Sequence, residues 1–310
     1  MANTIARGMQ ARARACSTRP ASASTTRRPF PLIEDPDPML LATWNVNSVR
    51  ARLDHVLRYW ERRRPDVLCL QEIKVEDPAF PRESFEERGL HLAVAGQKGY
   101  HGVAVVSSLP LEDPVVGFPH LPPDHPLNRE RRLLAVTAAG VRVLSVYVPN
   151  GEAVGSEKFE AKLRFFEELG RYLDQQLAQN PAVVLAGDFN VAPEARDVYD
   201  PEAWEGRVLF SVPEREALEA LKGRGLVDCF RQLHPEDGNR YTWWDYRGGA
   251  FWKNEGLRID HILANPALAD RCEECDVDLS PRRWKRPSDH APVWARFRLD
   301  PADRPRRGNT

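Results

Sequence analysis

Apolar and polar positions divide this chain into many short blocks. Met39 to Val46 is a continuous apolar-rich run, the pattern of a buried strand. Beyond it Val49, Leu53, Val56, Leu57 and Trp60 recur at the spacing of one helical face, and Arg62 to Pro65 closes that helix. Asp66 to Leu70, Leu90 to Ala95, Val103 to Val106, Leu133 to Thr137 and Val141 to Val148 read as further strands. Ala139-Gly140 forms the turn between the last two. A long helix is predicted from about Ser156 to Gln179, with Phe159, Leu163, Phe166, Leu169 and Leu173 on one side. Val183 to Ala186 is a strand, Glu214 to Leu221 and Asp228 to Leu233 are short helices, and Leu257 to Leu263 and Pro292 to Leu299 supply late strands.

Helices interleave with strands, yet several strands pair as hairpins. That mixture predicts an α+β fold, with sheets packed on each other and helices outside, rather than a purely parallel wound sheet. No internal repeat is evident, and no linker interrupts 39–299, so a single domain is expected there. Residues 1–38 read differently. Six arginines sit among Ala, Ser and Thr, with no acid before Glu34 and no continuous apolar stretch. This is not a secretory signal. It is expected to be a disordered basic leader to a chain whose first strand starts at Met39, although an Arg- and Ser-rich, acid-poor composition also fits an organellar transit peptide. Residues 300–310 are expected to form a loose tail.

Composition narrows the picture in three ways. No run reaches the roughly 18 apolar residues of a membrane span. The net charge of -1 excludes a globally basic nucleic-acid binder but leaves local patches such as Arg62-Arg63-Arg64, Arg129 to Arg132 and Arg282 to Arg286. The five cysteines are scattered. Cys272-Glu273-Glu274-Cys275 has neither a second pair nor a His partner, so a zinc site or redox motif is not expected, and a reducing, cytoplasmic compartment is.

The chemistry sits at strand ends. Gly187-Asp188-Phe189-Asn190 follows an apolar run, and Ser288-Asp289-His290 precedes one. Asn45 and Glu72 end the first two strands, and Asp260 lies in a late one. Taken singly, an Asn or a carboxylate at such a place is a turn former or a solvated group. Together, carboxylates, carboxamides and a histidine make a hard-metal set that suits Mg²⁺, with Mn²⁺ able to substitute, and phosphodiester hydrolysis. Gly187 is expected to let the backbone turn sharply, and Asp188 and Asn190 to face the same side.

These pieces carry a resemblance. Thr43-Trp44-Asn45-Val46-Asn47, Leu70-Gln71-Glu72-Ile73-Lys74, Gly99-Tyr100-His101-Gly102-Val103-Ala104 and Tyr147-Val148-Pro149-Asn150-Gly151 come first. Gly187-Asp188-Phe189-Asn190, Gly225-Leu226-Val227-Asp228, Trp244-Asp245-Tyr246-Arg247, Gly256-Leu257-Arg258-Ile259-Asp260 and Pro287-Ser288-Asp289-His290-Ala291-Pro292-Val293-Trp294 follow. In this order, over 39–298, the chain resembles the exodeoxyribonuclease III family of abasic-site endonucleases within the endonuclease/exonuclease/phosphatase superfamily.

The resemblance implies a four-layered sandwich with the site at one sheet edge. It implies a Mg²⁺-dependent hydrolase that cuts duplex DNA 5′ to abasic sites and trims 3′ ends, acting as a monomer. Glu72 matches the principal metal ligand, with Asn45, Asp188, Asn190 and Asp289 holding the ion or its waters. Asp188 would orient and deprotonate the attacking water, Asn190 would fix the phosphate, Asp260 would hold His290 as an imidazolium, and Tyr147 would assist the leaving group. Trp243, Leu257 and Ile259 would line a pocket for a baseless sugar, and Tyr100, Gly102, Asn150 and Arg258 would lie at the DNA backbone. His261 is expected to support Asp260. The aromatic segment from Tyr241 to Tyr246, with Trp252, reads equally well as a buried cluster. The same acid motifs would serve a relative acting on RNA or small phosphorylated substrates, or a non-catalytic nucleic-acid-binding relative, but the Trp-Trp-Asp-Tyr-Arg and Leu-Arg-Ile-Asp segments favour the DNA enzyme.

Overall fold

A computed structural model describes residues 38–299; the expectations for the leader and for the tail 300–310 lie outside the described residues. Twelve strands form two six-stranded sheets. The first contains β1 (Met39–Asn45), β2 (Val67–Gln71), β3 (His91–Ala95), β4 (Val103–Ser107), β11 (Cys272–Val277) and β12 (Val293–Phe297), in the order β11-β12-β1-β2-β4-β3. The second contains β5 (Glu112–Val116), β6 (Leu133–Ala138), β7 (Val141–Tyr147), β8 (Val183–Asp188), β9 (Val227–Asp228) and β10 (Asp260–Ala264), in the order β5-β6-β7-β8-β10-β9.

The two sheets share one plan. In each, a central parallel pair (β1 with β2, β7 with β8) is joined through a helix, and every other pairing is antiparallel. This duplication is not legible in the residues, because topology is preserved while residues are not. Leu53–Arg63 crosses from β1 to β2, and Glu157–Gln179 crosses from β7 to β8. The longer helix starts where Ser156 accepts a hydrogen bond from the Phe159 amide at 3.1 Å, the usual N-cap arrangement.

Three apolar layers hold the sandwich together. Alternate residues such as Leu41, Val67, Val103, Val143, Val184 and Ile262 fill the space between the sheets. Phe165, Phe166, Leu169 and Leu173 pack the long helix on the outer face of the second sheet. Val56, Tyr59 and Trp60 do the same for the first. Burial of this kind is worth roughly 25 cal/mol per Å² of apolar surface, so these layers dominate the fold.

Three strands were absent from the sequence reading: β5, β9 and β11. All lie at sheet edges. Glu112-Asp113-Pro114 and Cys272-Glu273-Glu274-Cys275 each carry two adjacent exposed acids, as edge strands tolerate, and lack the two-sided apolar run of a central strand. The strand expected over Leu257 to Leu263 starts later, at Asp260, and Leu257 makes only isolated bridges to Val198 and Trp243. Among the described residues no helix is long and apolar enough to cross a membrane.

Candidate active site

The ends of the central strands meet at one edge of the sandwich. Register sets Asn45 beside Gln71, Tyr147 beside Asp188, and Asp188 beside Asp260. Glu72 follows β2 in the left-handed region, with φ 50°. Gly187 is needed for close approach, not for the expected sharp turn: a Cβ there would lie 1.9 Å from the Val146 carbonyl oxygen of β7. Asn190 supplies the turn instead, at φ 51°, with its amide N–H donating to Asp188 Oδ1 at 2.9 Å. Asp188 and Asn190 therefore face each other through a hydrogen bond rather than lying side by side on an extended strand.

Ser288 pins the late motif to the first strand. Its hydroxyl donates to the Asn45 carbonyl at 2.7 Å and accepts from the His290 amide at 3.2 Å. The indole of Trp44 donates to the His290 carbonyl at 3.1 Å. On the other side the Thr242 hydroxyl accepts from the amides of both Ile259 and Asp260 at 3.0 Å. Thr242 gave no signal in the sequence, because one hydroxyl inside an aromatic run reads as packing.

A buried row of charges results. His290 Nδ1–H donates to Asp260 Oδ2 at 2.8 Å, and His290 Nε2 stands 3.8 Å from Asp188 Oδ2. Burial alone would lower the imidazole pKa, but Asp260 and then Asp188 outweigh it and lift it to about 10. The ring is an imidazolium at neutral pH. Asp188 moves up to about 7, chiefly because it is buried and also because Asp260 and Glu72 repel a further negative charge. Tyr147 is held well above its ordinary value by burial and then by Glu72.

Asn45 donates its amide to Glu72 Oε1 and to Asp188 Oδ2, each at 2.9 Å, while its oxygen accepts from the Asn47 amide. Its amide thus spaces two carboxylates beside the expected metal position. Asn190 is likewise committed: its side-chain oxygen accepts from Asn150 at 3.2 Å and its amide donates to the Val148 carbonyl at 3.0 Å. Glu72 has an 18%-exposed side chain and faces Lys74 at 2.7 Å. Burial would raise its pKa, yet Lys74 and Asn45 hold it below the ordinary value. Asp289 accepts from Asn47 (3.0 Å), Tyr246 (3.3 Å) and Trp243 (3.1 Å).

Single ligand atoms of Asp188, Asp260 and His290 lie within 4.8 Å of one another. That trio is a poor metal cage, because a protonated imidazole bound to its own carboxylate has no lone pair to give. Glu72, ionised and partly open, fits a hard divalent cation better. Asp260 Oδ1 is buried and has no hydrogen-bond partner among the described residues.

The expected DNA-contacting residues divide. Tyr100, 71% exposed, and Asn150 line a groove of about 610 Å³ with His101, Arg132 and Tyr147. Arg132 lies 4.6 Å above the Tyr147 ring and donates to the Tyr147 carbonyl at 3.3 Å. Gly102 is buried and uses its N–H on the Arg131 carbonyl and its C=O on the Ile73 amide, so it has no free backbone group for DNA. Arg258 is also corrected. It is 1% exposed and bound to Asp197 (2.7 Å), Asp228 (2.8 Å) and His261 Nδ1 (3.0 Å). His261 in turn donates to the Val191 carbonyl at 2.9 Å and is kept neutral, its pKa lowered to about 4 by burial and then by Arg258. This network braces the Asp188–Val191 loop from behind, and His261 supports that loop more directly than it supports Asp260. Leu257 and Ile259 are buried with Leu209 and Phe210 beneath a half-buried Trp243.

Lys162 was not foreseen, since a lysine on a helix is normally solvated. It is fully buried, pairs with Glu214, and donates to the carbonyls of Asn190 (2.7 Å) and Asn150 (3.1 Å). Asn47 and Lys74 lay inside quoted motifs but had been given no task.

Residues 42–290 match the model of the endonuclease/exonuclease/phosphatase family. The chain is similar to exodeoxyribonuclease III of Haemophilus influenzae, at 37% identity over 84% of this chain and 100% of that protein. It is similar to the Bacillus subtilis exodeoxyribonuclease at 33% identity, over 82% and 98% respectively. Among solved structures, the 3′ phosphatase NExo from Neisseria, bound to a product DNA hairpin, superposes with a TM-score of 0.81 at 44% identity, covering 84% of this chain and all of that one. An AP endonuclease from Archaeoglobus fulgidus gives 0.80 at 40% identity, with the same coverage.

Proposed function

Because this chain belongs to the endonuclease/exonuclease/phosphatase family, in its exodeoxyribonuclease III branch, we propose that it is a Mg²⁺-dependent DNA repair nuclease that cuts 5′ to abasic sites and processes 3′ ends. The observation that carries the reading is the buried Asp188–His290–Asp260 row beside Glu72. It joins a base, an imidazolium and a hard anionic ligand at one edge of the sandwich.

Each group has one task. Asp188, with a pKa near neutrality, accepts the proton of the attacking water; a base works best when its pKa lies close to the working pH. The Asn190 amide fixes its Oδ1, so the second oxygen faces the water. His290, held charged by Asp260, donates to the non-bridging oxygen on which negative charge grows in the transition state. Tyr147, kept protonated, donates to the leaving oxygen. Glu72 would hold Mg²⁺ with Asp289 and waters, and a bound divalent ion would supply further neutralisation of the phosphate charge. Mn²⁺ meets the same hard-oxygen preference.

Trp243, resting on Leu257 and Ile259, gives a flat apolar wall suited to a sugar without its base. We take it to act as a monomer. The test is cleavage of a labelled duplex carrying one abasic analogue, against the same duplex intact, with Mg²⁺ and with chelator. Metal-dependent incision 5′ to the analogue is expected. A folded protein that cuts neither duplex would overturn the reading.

A further inference from the structure

We propose that Trp252 is a DNA-stacking residue, presented on a rigid loop beside the site and flanked by the cations that hold the backbone. The inference rests on the DNA nuclease reading above. It starts from the one part of the aromatic segment that does not fit the buried-cluster interpretation. Tyr241 and Trp244 are buried as core aromatics should be, but Trp252 is 75% exposed, more than any other large apolar residue described.

Single exposed apolar residues are common on proteins and carry no message. Trp252 differs in how firmly its loop is fixed. Gly248 and Gly249 take φ 68° and 70°, and Asn254 closes the short helix Ala250–Lys253 at φ 57°. Phe251 turns inward onto Trp244, with ring centroids 5.2 Å apart. Its neighbour Trp252 turns out, keeping an edge contact with the Phe251 ring at a centroid distance of 5.1 Å. Arg282, itself 5% exposed, rivets the arrangement: its guanidinium lies 4.9 Å from the Phe251 ring, 5.6 Å from Trp244 and 5.9 Å from Tyr246, and it donates to the Ser288 carbonyl. Tyr246 closes the link to the site by donating to the Pro287 carbonyl at 3.0 Å and to Asp289 at 3.3 Å. The loop is thus tied to the segment that carries Asp289 and His290.

Charge supplies the second observation. Arg247, with a side chain 90% exposed, pairs only with Asp245 two residues away. Lys253 is 59% exposed, and Lys285 and Arg286 stand exposed just before Pro287. An indole on a loop that carries Arg247 and Lys253, and that is tied to the segment bearing Lys285 and Arg286, matches a partner that offers both phosphates and a flat base face. Stacking on an aromatic tolerates any base sequence, because every base has a π-face. Duplex DNA opened at an abasic site or a 3′ end, where a base face is free to stack, is the occupant this surface fits.

The full chain is used for the test, with binding read by anisotropy of a labelled abasic duplex in chelator, and cleavage read with Mg²⁺. Trp252→Ala is expected to weaken binding by about tenfold, within the span of a lost base stack, and to raise KM by a similar factor with kcat at saturating DNA unchanged. Trp252→Phe should restore most of the affinity. The residue is exposed, so Tm should not move, and that check separates loss of contact from loss of fold. If the wild type cuts DNA while Trp252→Ala stays within twofold in both Kd and KM, the inference fails and the nuclease reading stands. If Ala and Phe weaken binding equally, stacking is refuted. A wild type that neither binds nor cuts DNA would overturn both.

Discussion

Replacing Asp260 by Asn tests the charge logic of the site most directly. In the wild type, His290 is lifted from 6.5 to about 10 against the pull of burial, with Asp260 the larger helper and Asp188 the smaller. That interval corresponds to roughly 5 kcal/mol in favour of the imidazolium. Asp260 is in contact at 2.8 Å and Asp188 stands off at 3.8 Å; the interval is what remains after burial has opposed both, so removing the larger charge leaves little or none of it. An Asn keeps an oxygen to accept from Nδ1–H, so geometry survives while the counter-charge does not. Burial then wins, and the ring becomes neutral at pH 8. The expected loss in kcat is about 10²- to 10³-fold at pH 8, shrinking as pH falls toward 6 and the imidazolium returns. The assay is single-turnover cleavage of the abasic duplex from pH 6 to pH 9, expressed as the ratio of variant to wild type; Asp260 also raises the Asp188 pKa, so that titration moves down in the variant and adds to the rise of the ratio at low pH. A ratio that is flat with pH, or a loss below fivefold, would refute the argument.

Asp188→Asn is expected to cost about 10²- to 10⁴-fold in rate while Kd for DNA changes by less than threefold; equal losses in both would point to a binding role. The folded pKa of Asp188 lies above its unfolded 3.8, at about 7, so the stability tied to its proton is present at acid pH and is lost as pH rises from about 4 through 7. In metal-free buffer at pH 8, Asp188→Asn should therefore raise Tm, and calorimetry would read it. Chelator should abolish cleavage, and Glu72→Gln should increase the Mg²⁺ needed for half-maximal rate at least tenfold; unchanged Mg²⁺ dependence would remove Glu72 from the metal site. Arg258→Met should destabilise by about 3–5 kcal/mol in urea, because Asp228 stays buried without its ion-pair partner and Asp197 keeps only Arg231. It should leave the salt dependence of DNA binding unchanged, whereas a shallower slope would restore Arg258 as a phosphate contact.

The sequence made the central strands and the acid motifs readable for one physical reason. A strand buried on both faces is a run of apolar residues, and whatever ends it stands out. Asn45, Glu72, Asp188 and His290 were found that way. Edge strands lack that signature, so β5 and β11 passed as loops. Partner choice was invisible too. Arg258 and Lys162 look alike in sequence as surface cations, and only the fold reveals that one meets Asp197 and Asp228 and the other Glu214. The contacts of Asn45 and Asn190 were hidden for a related reason: an amide offers a donor and an acceptor, and which one faces the carboxylates depends on neighbours far away in sequence.

The shared plan of the two sheets explains why the site lies where it does. Each half carries a parallel pair whose strands end together, followed by an antiparallel strand that starts at the same edge. In the first half these positions are Asn45, Gln71 and Val103; in the second they are Tyr147, Asp188 and Asp260. Packing the sheets face to face sets the two edges against each other, and Asn45 bridges them by reaching Asp188 from the first sheet to the second at 2.9 Å. The division of labour follows from polarity. The second half presents two carboxylates in adjacent register, close enough to raise one pKa and to hold an imidazolium between them. The first presents Gln71 inward, hydrogen-bonded to Thr43 and Ser145 in the core, and sends its charge out on Glu72 one residue later, where it stays ionised. On the proposed roles, proton transfer and metal binding would fall to different sheets, and moving the carboxylate from Glu72 back to position 71 would bury it in the interlayer core, where an unpaired charge costs several kcal/mol.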